Sequence, residues 1–253
     1  MIEYGSFSMR GPGNPDRHDA IHAHLSRTSG AGYFALADGN PLNPTSGITA
    51  DLVARHTVCD AALAAGGQRG GLTYTIVRGA NAAGYLLDAD RTPKANVSLA
   101  LIRLEPGGEL IEAAGIGDLR VYGYRHDARP GELLLDDAVT EAGHRSLYRT
   151  TGYCYGRGHA LDPNKTAAAC GLGVYCDYHP IRQAAAKRSE YRRLIAVTAG
   201  VHTLLADGEI DAIAGSSAPP ADAAQLLVDA VARRARPRAP EAASRTALVM
   251  DLL

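Results

Sequence analysis

Apolar and polar positions change their period several times along the chain, and each change predicts an element. Residues 20–25 (AIHAHL) alternate, which predicts a half-exposed strand. Residues 33–37 (YFALA) run apolar without a break into Asp38-Gly39, which predicts a buried strand followed by a turn. Over 47–65 the apolar positions Ile48, Leu52, Val53, Val58 and Leu63 recur at helical spacing, with Thr45 or Ser46 as candidate caps. Residues 72–88 predict a second helix, weakened by Gly79 and Gly84. Three strand-like runs follow at 96–104, 109–115 and 119–125, the first two joined as a hairpin by Pro106-Gly107-Gly108. The polar, glycine-rich stretch 138–192 predicts no element. Residues 194–198 (LIAVT) predict a buried strand entering a tight turn at Ala199-Gly200. Helices are predicted over 207–214 and 221–235, and TALVMDLL predicts a last strand.

Strands and helices are therefore segregated rather than alternating. That predicts an α+β fold: two antiparallel sheets packed face to face as a sandwich, with helices on the outer faces. The Pro, Arg and Ala-rich stretch 236–244 is a loop rather than a linker, because the strand after it needs a sheet. The whole of 1–253 is expected to form a single domain.

Composition narrows the classes of function. With Lys+Arg 26 against Asp+Glu 27, the net charge of −1 gives no bulk attraction to nucleic acid or to a membrane surface. No apolar run approaches the roughly 20 residues that span a bilayer, and MIEYGSFSMRGPG lacks an apolar signal core. The expectation is a cytoplasmic protein, and the Ala, Arg and Gly richness suggests a bacterial source. Cys59, Cys154, Cys170 and Cys176 form no C-x-x-C pair. Cys154, His159, Cys170, Cys176 and His179 cluster, but at no spacing typical of zinc sites. His22 and His24 share a strand face and lack a third ligand.

Five short stretches then fall in a telling order: RGPGNPD (10–16), YFALADG (33–39), AAGIGDLRVYGY (113–124), LIAVTAGVHTLLADGEI (194–210) and SRTALVM (244–250). Together they resemble the metal-dependent protein phosphatases of the 2C type (the PPM family) over about residues 10–250. The resemblance implies a β-sandwich with a pair of helices on each outer face. It also implies a two-metal site, usually manganese or magnesium, that activates water against serine or threonine phosphoesters.

Carried over position by position, the resemblance implies that Asp38 is a bridging metal ligand and that Gly39 offers its carbonyl. Asp16 matches the N-terminal acidic position, with Asp19 as a second candidate in another register. Arg10 sits near the place of the arginine that holds substrate phosphate, and Asp118 matches the Gly-Asp-Ser-Arg segment. Asp38 and Asp118 are thus the candidate catalytic residues, and Asp16, Asp38, Gly39 and Asp118 the candidate metal ligands. Two expected aspartates are replaced: Ala199 stands at one, and aligning Thr246 puts Ala243 at the other. Asn40-Pro41-Leu42 replaces the family's Met-Gly-Gly. Asp16 and Asp38 supply too little charge for two divalent ions unless Asp118 or Glu241 moves in, so weakened manganese or magnesium binding is expected.

Alternatives stand beside these readings. Asp38 before glycine is also an ordinary turn residue, Asp118 and Arg120 could form a local ion pair, and Arg10 could be plain surface. At the level of function, one reading is a catalytically degenerate phosphatase-like protein that serves as a binding or regulatory module for a phosphoprotein or protein partner. A second is a working phosphatase with a rearranged metal site. A third is different chemistry on the same fold, centred on the Tyr, Cys and His-rich segment 151–180. The sequence leaves the oligomeric state open.

Overall fold

The computed structural model describes residues 2–10, 18–26, 29–39, 43–64, 71–92, 95, 97–105, 107–127, 130–136, 181–234 and 244–253. Among them are two five-stranded antiparallel sheets. One contains, in spatial order, β1 (Ile2–Met9), β10 (Arg245–Leu252), β9 (Tyr191–Thr198), β6 (Leu119–Arg125) and β7 (Glu132–Asp136). The other contains β2 (Asp19–Leu25), β3 (Gly32–Gly39), β4 (Val97–Leu104), β5 (Leu110–Ile116) and β8 (Arg182–Lys187). Helices α1 (Ser46–Ala64) and α2 (Leu72–Ala89) cover the second sheet. The one-turn α3 (Ala199–His202), α4 (Asp207–Ala214) and α5 (Pro220–Arg234) cover the first.

The continuous apolar runs have a simple cause: central strands are covered on both faces. In β3, Tyr33, Ala35 and Ala37 pack with Val53, Val58 and Ile76 of the helices. Phe34 and Leu36 point the other way, into the layer between the sheets, with Leu194, Leu248 and Met250. In β9 and β10, Leu194, Ala196, Leu248 and Met250 feed that same layer, while Ile195, Val197, Ala247 and Val249 pack under α3, α4 and α5. The edge strand β2 alternates because it is half exposed. Three apolar layers thus hold four layers of structure together, as the segregated pattern predicts.

Differences from the sequence reading are local. β1 and β8 carry no clear apolar period, and β7 is short. The chain after β9 makes a helical turn, α3, instead of a tight turn. At the entry to α1 the Thr45 carbonyl accepts from Thr49 N–H (3.0 Å), and Asn43 Oδ1 accepts from both Thr45 N–H (3.0 Å) and Thr45 Oγ1 (2.8 Å). Gly79 is not a defect in α2. It is buried where α2 crosses α1, and a Cβ there would lie 2.7 Å from Thr57 Cα.

Candidate active site

The layer between the sheets ends in polar residues at one rim, and they keep the phase of the apolar positions behind them. Asp19 continues the face of Ile21 and Ala23, and Asp38 that of Phe34 and Leu36. Opposite them, Thr198 and Thr246 continue the faces of Ala196 and Leu248. Antiparallel register then sets Asp19 directly across from Asp38, on the side where cross-strand side chains meet. A period-2 pattern therefore delivers two carboxylates to one place.

Each carboxylate is held on one oxygen. Thr246 Oγ1 donates to Asp19 Oδ2 (2.7 Å) and lies 2.8 Å from Ser8 Oγ. The backbone N–H of Ala199 donates to Asp38 Oδ2 (3.1 Å). Asp19 Oδ1 is buried and receives no hydrogen bond from a permanent donor. A proton carried by the neighbouring Asp38, or a bound cation, is what can satisfy it. Burial pushes the Asp19 carboxyl up to about 6, opposed by hydrogen bonds from Asp38 and Thr246. Burial, and then the charge of Asp19, raises Asp38 well above the ordinary carboxylate range. Like charges this close cannot both ionise freely, so the pair retains a proton.

The surroundings are built from backbone and small hydroxyls. Gly39 N–H donates to the carbonyl of His18 (3.0 Å), fixing the end of β3. His18 Nδ1 lies 2.6 Å from Ser46 Oγ at the start of α1, and His18 N–H donates to Ser244 Oγ (3.1 Å). Thr246 N–H donates to Thr198 Oγ1 (3.1 Å). Asp118, in the β5–β6 turn, is anchored by its N–H to Ser98 Oγ (3.1 Å) and is close enough to raise Asp38 further. Its Oδ1 lies 3.0 Å from the buried His202 Nε2, an approach too poorly aligned for a hydrogen bond.

Of the residues the sequence singles out, the structure brings Asp38, Gly39, Asp118 and Ala199 to this rim. It adds Asp19, the alternative N-terminal acid, directly beside Asp38. Asp38 is not merely a local turn residue, since its partners Asp19 and Ala199 are on other elements. Arg120 reaches Asp207 Oδ1 (3.3 Å) on α4, while Asp118 faces His202. Arg10 follows β1 directly and is exposed. His22 Nε2 lies 2.9 Å from Asp51 Oδ1 on α1. Asp16, Ala243, Glu241, Asn40–Leu42 and the segment 151–180 lie outside the described residues. Sequence reasoning missed His18 and His202, which share no motif with the acids and meet the rim only through tertiary packing. Among the described residues no three His, Cys, Asp or Glu side chains form a ready-made metal-ligand group. Nor is any helix among them long and apolar enough to cross a membrane.

No family model matches the chain, and no curated protein matches its sequence. Solved structures do match over its full length. A serine/threonine phosphatase of S. agalactiae superposes with a TM-score of 0.74 at 15% identity, covering 100% of both chains. PppA, a regulatory component of T6SS in Pseudomonas aeruginosa, gives 0.72 at 17% identity, covering 100% of this chain and 98% of that one. The PPM Ser-Thr phosphatase MsPP of Mycobacterium smegmatis, in complex with cacodylate, gives 0.68 at 20% identity over 99% and 98%. Two packed antiparallel sheets flanked by helices, with acids gathered at one rim, thus give this chain the fold of the PPM-type serine/threonine phosphatases, the fold its five ordered motifs imply.

Proposed function

We propose that the protein is a 2C-type phosphatase-like chain with a degenerate catalytic centre, acting as a binding or regulatory module for a phosphoprotein or another protein partner. The observation that carries this reading is Ala199. It stands at the end of β9, where the family resemblance implies a metal-binding aspartate, and the only polar group it offers Asp38 is a backbone N–H. A donor at that point satisfies a carboxylate oxygen that a cation would otherwise use.

The donor set is suited to one hard divalent ion, manganese or magnesium, rather than two. Such ions take oxygen ligands, and Asp19 Oδ1 and Asp38 are the oxygens in place to hold one. Asp19, Asp38 and Asp118 carry at most three negative charges, short of about four for a pair of divalent ions. A bound ion would polarise a phosphoryl oxygen and lower the pKa of a water. Asp118 and Arg10 would flank a phosphoryl group at the rim.

The second reading, a phosphatase with a rearranged site, draws on Asp19. Its unpartnered Oδ1 beside Asp38 is a ligand arrangement that alanine in place of aspartate at 199 and 243 does not touch.

Hydrolysis of p-nitrophenyl phosphate with and without manganese, alongside manganese titration calorimetry, separates the two. The degenerate reading expects no manganese-dependent turnover and at most one bound ion. Tight binding of two ions, or turnover abolished by Asp38→Asn, overturns it.

A further inference from the structure

The first residues of β10 carry different chemistry on the strand's two faces. Thr246 shares a face with Leu248 and Met250 and closes on Asp19. Arg245 lies on the opposite face with Ala247 and Val249, under the α3–α5 layer. Arg245 is only 4% exposed, yet among the described residues no hydrogen bond or ion pair reaches its guanidinium. Burial alone lowers its pKa, and no carboxylate among the described residues offsets that.

Arg193 on β9 shows how this protein otherwise treats a buried arginine. Its side chain is 3% exposed and pairs with both oxygens of Asp251 (2.5 and 2.9 Å). It also donates to the carbonyls of Ala214, Ser216 and Ala218. Arg245 has nothing comparable. A lysine in that position could shed its proton, but arginine stays charged at any physiological pH. A permanent cation whose stem is buried and whose guanidinium has no carboxylate beside it among the described residues is a place for an anion. The stem is held by backbone instead: α3 crosses it at Gly200, where a Cβ would lie 2.2 Å from the Ser244 carbonyl oxygen and 3.3 Å from Arg245 Cγ.

We propose that Arg245 is the cationic centre of an oxyanion-binding site on the helix side of β10, distinct from the acidic rim on the strand's other face. The flat guanidinium fork suits a phosphate or carboxylate group through two parallel N–H···O bonds. The site stands independently of whether the acidic rim is active or degenerate. It does bear on that rim structurally. α3, which crosses Arg245, begins with the Ala199 N–H that holds Asp38, and β10 carries the Thr246 hydroxyl that holds Asp19.

The test is thermal melting and titration calorimetry of the full chain in metal-free buffer. Inorganic phosphate and acetate are compared with chloride at equal ionic strength, for wild type, Arg245→Met, Arg245→Lys and Arg10→Ala. Wild type should show a saturable rise in Tm with phosphate or acetate, and which of the two acts identifies the anion class. Arg245→Met should melt no lower than wild type in chloride, because an unpaired buried charge is gone, and should lose the anion response. Arg245→Lys keeps a charge without the fork and should bind at least roughly tenfold more weakly. Arg10→Ala should keep the anion response that Arg245→Met loses. No response of wild type to either anion overturns the proposal. A response that survives Arg245→Met, or that Arg10→Ala abolishes, also overturns it, since the anion would then sit in the cleft. Should Arg245→Met fail to fold, undiminished affinity in Arg245→Lys is the overturning result.

Discussion

The backbone N–H of Ala199 donates to Asp38 Oδ2 across 3.1 Å, tying the end of β9 in one sheet to the end of β3 in the other. A methyl side chain leaves the amide as the group that meets the carboxylate. Ala199→Asp should therefore change the site in two opposed ways. Without metal, a further carboxylate beside the Asp19–Asp38 pair adds repulsion and should cost on the order of 1–3 kcal/mol at neutral pH. With millimolar manganese the loss should shrink or reverse, and calorimetry should show more ion bound per chain than in wild type. A variant whose Tm and manganese stoichiometry match wild type would mean that position 199 does not face the cation site.

The acidic pair also sets a pH dependence. Asp19 is raised to about 6 and Asp38 is raised well above 3.8, so the folded state holds protons more tightly than the unfolded chain. Stability from this source is complete at pH below the unfolded value of about 4 and is lost as pH rises through about 6 and beyond. In metal-free buffer the wild-type Tm should fall across that window once other groups are accounted for. Asp38→Asn supplies a permanent neutral donor beside Asp19, should flatten the fall, and should melt higher than wild type at pH 8. Urea unfolding at pH 5, 6.5 and 8 measures this directly, and parallel pH profiles for the two proteins would contradict it.

Arg193 anchors the connection between α4 and α5 to the first sheet. Truncation to alanine strands Asp251 and the carbonyls of Ala214, Ser216 and Ala218. Breaking a buried ion pair of this kind costs about 3–5 kcal/mol. Asp251 is more exposed, at 21%, so Asp251→Asn should cost clearly less. Chemical denaturation of both variants should give that order, and equal losses would contradict the asymmetry.

Gly79 lets α2 lie against α1 at Thr57. An alanine there would bring Cβ within 2.7 Å of Thr57 N and Cα, so the helices must separate. Gly79→Ala should cost about 1–3 kcal/mol by overpacking despite alanine's better helix propensity. Asn81→Ala, on the exposed face of the same helix, should be neutral or slightly stabilising. A stabilised Gly79→Ala protein would show that the crossing adjusts freely.

The layering of this fold is legible in the chain itself. Runs such as YFALA and LIAV are apolar on both alternating faces, and only strands covered on both sides need that. The helices announce themselves by spacing at Val53, Val58, Leu227 and Val231. Two edge strands are less legible: β8 is a half-exposed run of alanines between charged residues, and β1 breaks its period with Gly5, Ser6 and Ser8 although Ile2 packs between the sheets and Phe7 and Met9 pack beneath the helices. Gly79 reads as a weakness along the chain because its reason, a crossing helix, is not local.

The same division holds at the rim. The sequence by itself determined which chemical groups are present, the aspartate before glycine at 38, the Gly-Asp at 117–118 and the methyl at 199, because residue identity and local order are written there. Only the tertiary structure decided that Asp19 faces Asp38, that Thr246 and the Ala199 amide each hold one of the pair, and that Arg245 is buried with no counter-charge among the described residues. Strand register and sheet-on-sheet packing join positions far apart in the chain, and burial changes the chemistry of a charged group only once those layers close over it.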